Sequence, residues 1–271
     1  MGSLESAKTA MIPRESDEFR GPRPDFSVVV PVRDEADSIR PLVTEIRAVL
    51  DALGRTRPLA YEIVYVDDGS RDTTPRVLTA LRGECPVLRV VRHRQGCGQS
   101  AAIATGVQAA RAPMIVTLDG DGQNDPADIP RLIEVFERAP DRDRLMVTGQ
   151  RTKRRDTRLK RLSSRVANAI RVGLLKDATP DTGCGLKIFP RAAFLAIPRF
   201  DHMHRFLPAL MLRGGGRVVS VPVNHRPRAR GASKYGLFDR LWIGIVDLLG
   251  VMWLQRRALA PAIEEPEEPA P

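Results

Sequence analysis

Three short acidic stretches set the chemistry this chain can do: Asp34-Glu35, Asp67-Asp68 and Asp119-Gly120-Asp121. Asp-x-Asp puts two carboxylates at one turn, where they can hold a hard divalent ion that also takes phosphate oxygens. Each stretch alone also reads as turn or helix-capping chemistry, and Asp72 before Thr73-Thr74 reads as a cap. Three of them on one edge would repel one another unless a cation or an array of donors offsets them. Opposite charge comes later in the chain. Arg151 to Arg165 carries eight basic residues and one acid, which for most members describes a solvated face. Lys234 follows Gly231-Ala232-Ser233 and reads as a point charge on a mobile loop.

The elements that must position these groups are written in the periodicity of residues 26–149. Apolar β-branched runs at Phe26–Val32, Tyr61–Val66, Val87–Val91, Met114–Leu118 and Leu145–Thr148 predict strands. Helical spacing predicts helices over Asp37–Leu53, Thr73–Arg82, Gly98–Arg111 and Ala127–Arg138. Ile39, Leu42, Val43, Ile46, Val49, Leu50 and Leu53 make one apolar stripe on the first helix. Strands alternating with helices predict an α/β fold, a mostly parallel sheet flanked by helices. Ligands of such sheets bind beyond the carboxyl ends of the strands, where all three acidic stretches fall. Gly96-Cys97-Gly98-Gln99-Ser100 opens a helix at that edge, where glycines admit close backbone approach and free N–H groups can face an anion.

Charge and composition remove other classes. The chain has 271 residues and a formal net charge of +10. From Arg151 to Arg240 there are 21 Lys/Arg against 5 Asp/Glu, a local surplus of +16 that implies an anionic partner. The 151–165 run has no aromatics to stack bases, and no nucleic-acid-binding signature occurs, so nucleic acid is not the expected partner. The turn after the first strand, Pro31-Val32-Arg33-Asp34-Glu35, is acidic and lacks glycine, which excludes a dinucleotide-binding dehydrogenase. Three cysteines without CxxC spacing fit neither a disulfide framework nor zinc. Residues 1–24 read as a flexible tail without a secretory signal, and 258–271 as a disordered acidic, proline-rich tail. Met1-Gly2 formally fits an acylation pattern. Leu241 to Leu254 is apolar but short of the roughly 20 residues a spanning helix needs. With Trp242, Trp253 and flanking arginines it reads equally as a helix in the lipid headgroup region or as a buried core helix.

At this point the chain resembles the GT-A family 2 glycosyltransferases, through Phe26-to-Glu35, Val66-Asp67-Asp68-Gly69-Ser70 and Asp119-Gly-Asp121-Gly-Gln123. Asp181-Thr-Gly-Cys-Gly-Leu-Lys-Ile-Phe, Met203-His-Arg-Phe-Leu-Pro and Asn224-to-Tyr235 narrow it to the polyprenyl-phosphate, dolichyl-phosphate mannose synthase-like group. The resemblance implies a catalytic domain over 25–235, followed by C-terminal amphipathic interface helices at 236–257. It implies that Pro31, Arg33, Glu35 and Asp68 surround the base and ribose of a UDP- or GDP-linked sugar. Asp119, Asp121 and Gln123 would hold Mg²⁺ or Mn²⁺ on the diphosphate. Arg151 would face phosphate and Asp181 would orient the sugar or acceptor loop; Arg161, Arg228 and Lys234 would gather the acceptor phosphate. The first loop carries Arg33-Asp34 where the family often has Tyr-Asn.

The implied reaction moves a sugar to a polyprenyl phosphate with inversion, at the cytoplasmic face of a membrane, for cell-envelope glycan or glycolipid synthesis. A phosphate monoester, with a second pKa near 6, is already an anion at neutral pH. The enzyme's task is then to bring two anions together, which the cluster including the catalytic candidates Asp121, Arg151, Asp181 and Lys234 would do. The alternatives are transfer to a soluble or glycan acceptor, and a basic membrane-surface protein without turnover.

Overall fold

The computed structural model describes residues 23–152, 171–227 and 237–258. Seven strands form one sheet: β1 (Phe26–Val32), β2 (Tyr61–Asp67), β3 (Leu88–Arg92), β4 (Met114–Thr117), β5 (Leu145–Arg151), β6 (Lys187–Pro190) and β7 (Arg217–Val223), in the order β3-β2-β1-β4-β6-β5-β7. β1 to β4 pair in parallel, as β5 does with β7, whereas β6 runs antiparallel to both β4 and β5. The five strands expected from periodicity are all present, displaced by three residues at most. β6 and β7 carry no acidic motif after an alternating run and were not foreseen.

Period-2 alternation sends neighbouring side chains to opposite faces of the sheet. Val28, Val30 and Val32 of β1 join a core with α1 (Ala36–Thr56), α2 (Thr74–Glu84) and α4 (Ile129–Glu137). Val29 enters the opposite core with α3 (Gln99–Ala109), α5 (Arg191–Leu195) and α6 (Leu207–Arg213). The predicted stripe on α1 is the buried one at Ile39, Leu42, Val43, Ile46 and Leu50; Val49 and Leu53 are half-buried. Each such side chain withdrawn from water contributes roughly 1.5–3 kcal/mol, so the two covered faces fix the strand register. Asp72 accepts from the Thr74 N–H at 2.9 Å, one residue ahead of the Thr73 cap position, and so steadies the start of α2.

The last helix, α7 (Leu237–Arg256), packs one face on the core and leaves another exposed. Val251 is fully buried, and Leu248, Met252 and Leu254 pack beside it on the α3/α6 core. Arg213 Nε donates to the Leu254 carbonyl at 2.7 Å and fixes the helix end. Ile245, Val246, Leu249 and Trp253 are 41–59% exposed and, at helical spacing, make an apolar stripe on the outer side. Among the described residues no helix is long and apolar enough to cross a membrane.

Candidate active site

The carboxyl ends of β1, β2 and β4 open into a cavity of about 670 Å³. Pro31, Arg33, Asp34, Glu35, Asp68, Asp119 and Asp121 all line it. One crossing of the sheet therefore brings together the acidic stretches that lie far apart in sequence. The antiparallel direction of β6 adds a residue that the acidic pattern did not reveal. Because β6 begins where its neighbours end, its first residue, Lys187, pairs with Thr117 and Thr148 and reaches the cavity floor.

Donors hold the first two acidic turns in place. Ser70 N–H donates to Asp67 Oδ1 at 2.9 Å, Asp34 N–H to Ser70 Oγ at 2.9 Å, and Arg71 N–H to Asp34 Oδ1 at 2.8 Å. Asp68 accepts from the Cys97 N–H at 2.7 Å and the Gly98 N–H at 2.9 Å, and its Oδ1 lies 2.8 Å from His93 Nδ1. Burial alone would raise its pKa; the Cys97 and Gly98 N–H groups and His93 outweigh that and hold the carboxyl below its usual range. Asp68 thus shapes the glycine-rich loop as well as lining the cavity. Gly69, at φ 67°, has room for no side chain, since a Cβ would stand 2.4 Å from the Gln95 carbonyl carbon. Arg33 lies over the same loop, against Gly96.

The third turn is electrostatically different. The Asp119 backbone N–H donates to Asn124 Oδ1 at 3.1 Å, and Gln99 Nε2 donates to Asp119 Oδ1 at 2.8 Å. Its carboxylate is pressed against Gly185, where a Cβ would sit 2.2 Å from Oδ2. Burial, and then the neighbouring Asp121 charge, push the Asp119 pKa up to about 6, against the pull of Lys187 and Arg151. Lys187 is buried and donates through Nζ to the Cys184 carbonyl; burial pulls its pKa down. Two adjoining carboxylates, one disfavoured as an anion, fit a hard divalent cation that would relieve that cost. Gln123 is turned elsewhere: its side-chain amide donates to the Arg226 carbonyl at 3.4 Å, and the residue does not line the cavity.

Arg151 and Asp181 meet. Nε and NH2 of Arg151 each donate to the Asp181 carboxylate at 2.6 Å, and the Arg151 N–H adds a third bond at 3.2 Å. This two-pronged pair sits beside Gly183, a lining residue, rather than in the lining itself. Arg161, Arg228 and Lys234 lie outside the described residues. The segment leading to the last two is firmly held: Asn124 bridges His225, and Arg226 pairs with Glu45 at 2.6 Å and Asp125 at 2.7 Å. Besides Lys187, sequence reasoning missed His204 and Arg205, which line the cavity from a 3₁₀ turn at Met203–Arg205. Their motif, Met203-His-Arg-Phe-Leu-Pro, contributed to the resemblance, but nothing in its residue types pointed to a ligand.

Comparison with known proteins agrees with this geometry. The family described as glycosyl transferase family 2 matches residues 27–197. The dodecaprenyl-phosphate galacturonate synthase of Rhizobium johnstonii is 35% identical over 241 residues, covering 88% of this chain and 69% of that protein. The undecaprenyl-phosphate 4-deoxy-4-formamido-L-arabinose transferase of Edwardsiella ictaluri is 34% identical over 213 residues, covering 78% and 63% respectively. The chain thus spans about two thirds of the length of these relatives. The mannosyl-3-phosphoglycerate synthase of Rubrobacter xylanophilus superposes with a TM-score of 0.62 at 18% identity, covering 91% of this chain and 79% of that one. A glucosyl-3-phosphoglycerate synthase from Mycobacterium tuberculosis, solved with Mn²⁺, UDP-glucose and phosphoglyceric acid, superposes at 0.60 with 16% identity over 86% and 79%. These solved structures share the GT-A architecture, and by its sequence the chain belongs to glycosyl transferase family 2.

Proposed function

We propose that this protein transfers a sugar from a UDP- or GDP-linked donor to a polyprenyl phosphate, releasing the nucleoside diphosphate and inverting the anomeric carbon. The observation that carries this reading is the Asp119–Asp121 pair at the floor of the cavity, with Asp119 pushed up to about pKa 6. Asp119 and Asp121 would hold Mg²⁺ or Mn²⁺. When bound, the cation offsets charge that grows on the diphosphate as the sugar bond breaks. The loops of Pro31–Glu35 and Asp68 take the nucleoside, where Arg33 offers its guanidinium plane in place of an aromatic ring. Asp181 locks Arg151 through two hydrogen bonds at 2.6 Å, so a cation is held rigidly beside the Thr182–Gly183 wall. The nucleophile needs no base, because a phosphate monoester is ionised at neutral pH. The residues gathering it are Arg161, Arg228 and Lys234, with Lys234 closing over the phosphates.

The acceptor class is supported by the two curated relatives, both named for polyprenyl-phosphate substrates. It is supported as well by the exposed stripe Ile245, Val246, Leu249 and Trp253, an apolar face flanked by Arg256 and Arg257. Apolar side chains beside arginines suit a helix lying in an anionic headgroup layer. The protein would work peripherally at the cytoplasmic surface of a membrane. The test offers the purified full chain a panel of UDP- and GDP-sugars with undecaprenyl phosphate in mixed micelles and Mn²⁺. A sugar-bearing lipid phosphate in the organic extract is expected. Transfer to a soluble or glycan acceptor alone would replace this reading with the alternative.

A further inference from the structure

Beside the Asp68 edge of the cavity the fold gathers a second set of metal-ligating side chains, chemically unlike the Asp119–Asp121 pair. β2 and β3 end side by side, with Asp67 paired to Arg92, so the residues that follow them, Asp68 and His93, come together. Cys97 joins them from the glycine-rich loop before α3. One ligand atom from each of the three lies within 4.8 Å of the others. Among the described residues no other three His, Cys, Asp or Glu side chains meet in this way. The cysteine spacing carries no zinc signal because the set is assembled by strand pairing and not by a local motif.

Each member is prepared in its own way. Asp68 Oδ1 lies 2.8 Å from His93 Nδ1, already close to the separation of two ligands on one cation. His93 Nε2 lies 2.9 Å from Thr105 Oγ1, the kind of outer partner that fixes a ligating imidazole. The Gly98 N–H holds the other Asp68 oxygen at 2.9 Å. Cys97 is exposed, and its thiol makes a weak contact of 3.3 Å with the Gln95 carbonyl. Zinc bonds of about 2.0 Å to nitrogen and oxygen and about 2.3 Å to sulfur place tetrahedral ligands about 3.5 Å apart. The thiol therefore has to move in by roughly 1 Å, which rotation of an exposed side chain supplies. Once its proton is lost, Cys97 and Asp68 together carry the charge that a divalent cation cancels. A thiolate and an imidazole select a softer ion than the oxygen-only pair Asp119–Asp121.

We propose that Asp68, His93 and Cys97 form a binding site for Zn²⁺, separate from the Asp119–Asp121 seat, whose occupation shuts out the donor nucleotide. The ion takes Asp68 Oδ1, His93 Nδ1 and Cys97 Sγ, with water in the open fourth position. The thiol proton and the proton between His93 and Asp68 go to solvent. Asp68 lines the cavity, and a cation on its carboxylate cancels the charge that accepts from the nucleoside. Zinc and nucleotide then compete for one side chain. The exclusion rests on the nucleotide-sugar reading above; the site itself stands on the three residues alone.

The test titrates the full chain in saturating Mg²⁺, which fills the oxygen-only pair, with Zn²⁺ by calorimetry and with Co²⁺ by absorbance. Co²⁺ on a thiolate gives a charge-transfer band that oxygen ligands do not. The parent should show that band at one Co²⁺ per chain. Cys97→Ser should lose the band and bind Zn²⁺ about tenfold or more weakly, with its Mn²⁺ affinity changed less than twofold. His93→Gln should weaken Zn²⁺ to a similar degree, and it decides the matter if Cys97→Ser does not fold. A band that persists in Cys97→Ser, or unchanged Zn²⁺ affinity in either variant, overturns the site. Filling the site with Zn²⁺ should weaken UDP or GDP binding about tenfold or more in the parent and less than twofold in Cys97→Ser, which controls for chelation in solution. An equal effect in both chains overturns the exclusion. If the zinc-free parent binds neither UDP nor GDP, the nucleotide-sugar reading fails while the zinc result still stands or falls on the two variants.

Discussion

The two walls of one cavity are built on opposite plans. On the acidic wall, backbone N–H groups reach the carboxylates in advance: Asp68 and Asp34 each receive at least one, as does the buried Asp67 behind them. Elsewhere in the lining Arg205 makes no ion pair or side-chain hydrogen bond among the described residues, and α7, packed behind its turn, leaves an apolar stripe in the open. A soluble donor is met by a site whose ordering cost is already met during folding. On the proposed reading the acceptor is anchored in a membrane and would arrive with its own orientation, leaving the protein to supply charge and an exposed surface. The Asp119–Asp121 turn stands between these plans, being fixed in shape yet unfavourable in charge until a cation joins it.

The comparison is broken most severely at Asp121. Asp121→Asn keeps the shape but removes a carboxylate, and transfer should fall about a thousandfold or more, in line with losing several kcal/mol of charge stabilisation. Its melting temperature should match the parent's. Asp119→Ala should behave alike, whereas Gln123→Ala should cost tenfold at most, because that side chain faces Arg226. Lys234→Ala should reduce turnover about a hundredfold while shifting nucleotide affinity only slightly, as expected of a group that closes after binding. Nucleotide titration into the mutant beside turnover at saturation checks this; lost affinity with intact turnover would make Lys234 a donor holder.

Asp181→Asn tests whether the rigidity of Arg151 matters. The pair is largely buried, with side-chain exposures of 15% and 8%, and breaking such a pair costs about 3–5 kcal/mol. Chemical denaturation should show that loss, and transfer should fall with it even well below the transition. The Asp119 carboxyl gives a pH signature. Its folded pKa of about 6 lies above the ordinary carboxylate value, so ionising it opposes folding. That penalty is absent below about pH 4, grows as pH rises towards 6 and is complete above it. Mn²⁺ should relieve it, and its affinity should fall about tenfold for each pH unit below 6, as protons compete for the ligand. Calorimetric titration at pH 5, 6 and 7 reads this directly; flat affinity would show that Asp119 is not a ligand. The smallest effect is expected at α7. Replacing Ile245, Leu249 and Trp253 by Ser should weaken cosedimentation with anionic liposomes several-fold without lowering the melting temperature, since all three are exposed.

Most of the acidic wall was legible in the sequence because it is local. Each turn follows an apolar run with period 2, and the rule that ligands sit beyond strand ends placed Asp34, Asp68, Asp119 and Asp121 together. Lys187 was not legible, because its position depends on β6 running against its neighbours, a long-range fact that no spacing records. His204 and Arg205 were hidden for a similar reason: a 3₁₀ turn leaves no periodic signature. The joining of Arg151 to Asp181 spans 30 residues and could be read only as two separate candidates. The C-terminal run gave two readings because its composition suits both; one face of the helix is packed on the core and the other is exposed.

The central claim is that the acidic turns load a metal-bound nucleotide sugar whose sugar is passed to a lipid phosphate. The most direct measurement is nucleoside diphosphate release by the full chain in four mixtures, with or without Mn²⁺ and with or without undecaprenyl phosphate, using the donor sugar identified by the panel. Release well above background should occur only when both are present. Equal release in EDTA, or equal release without the lipid phosphate, would contradict the account.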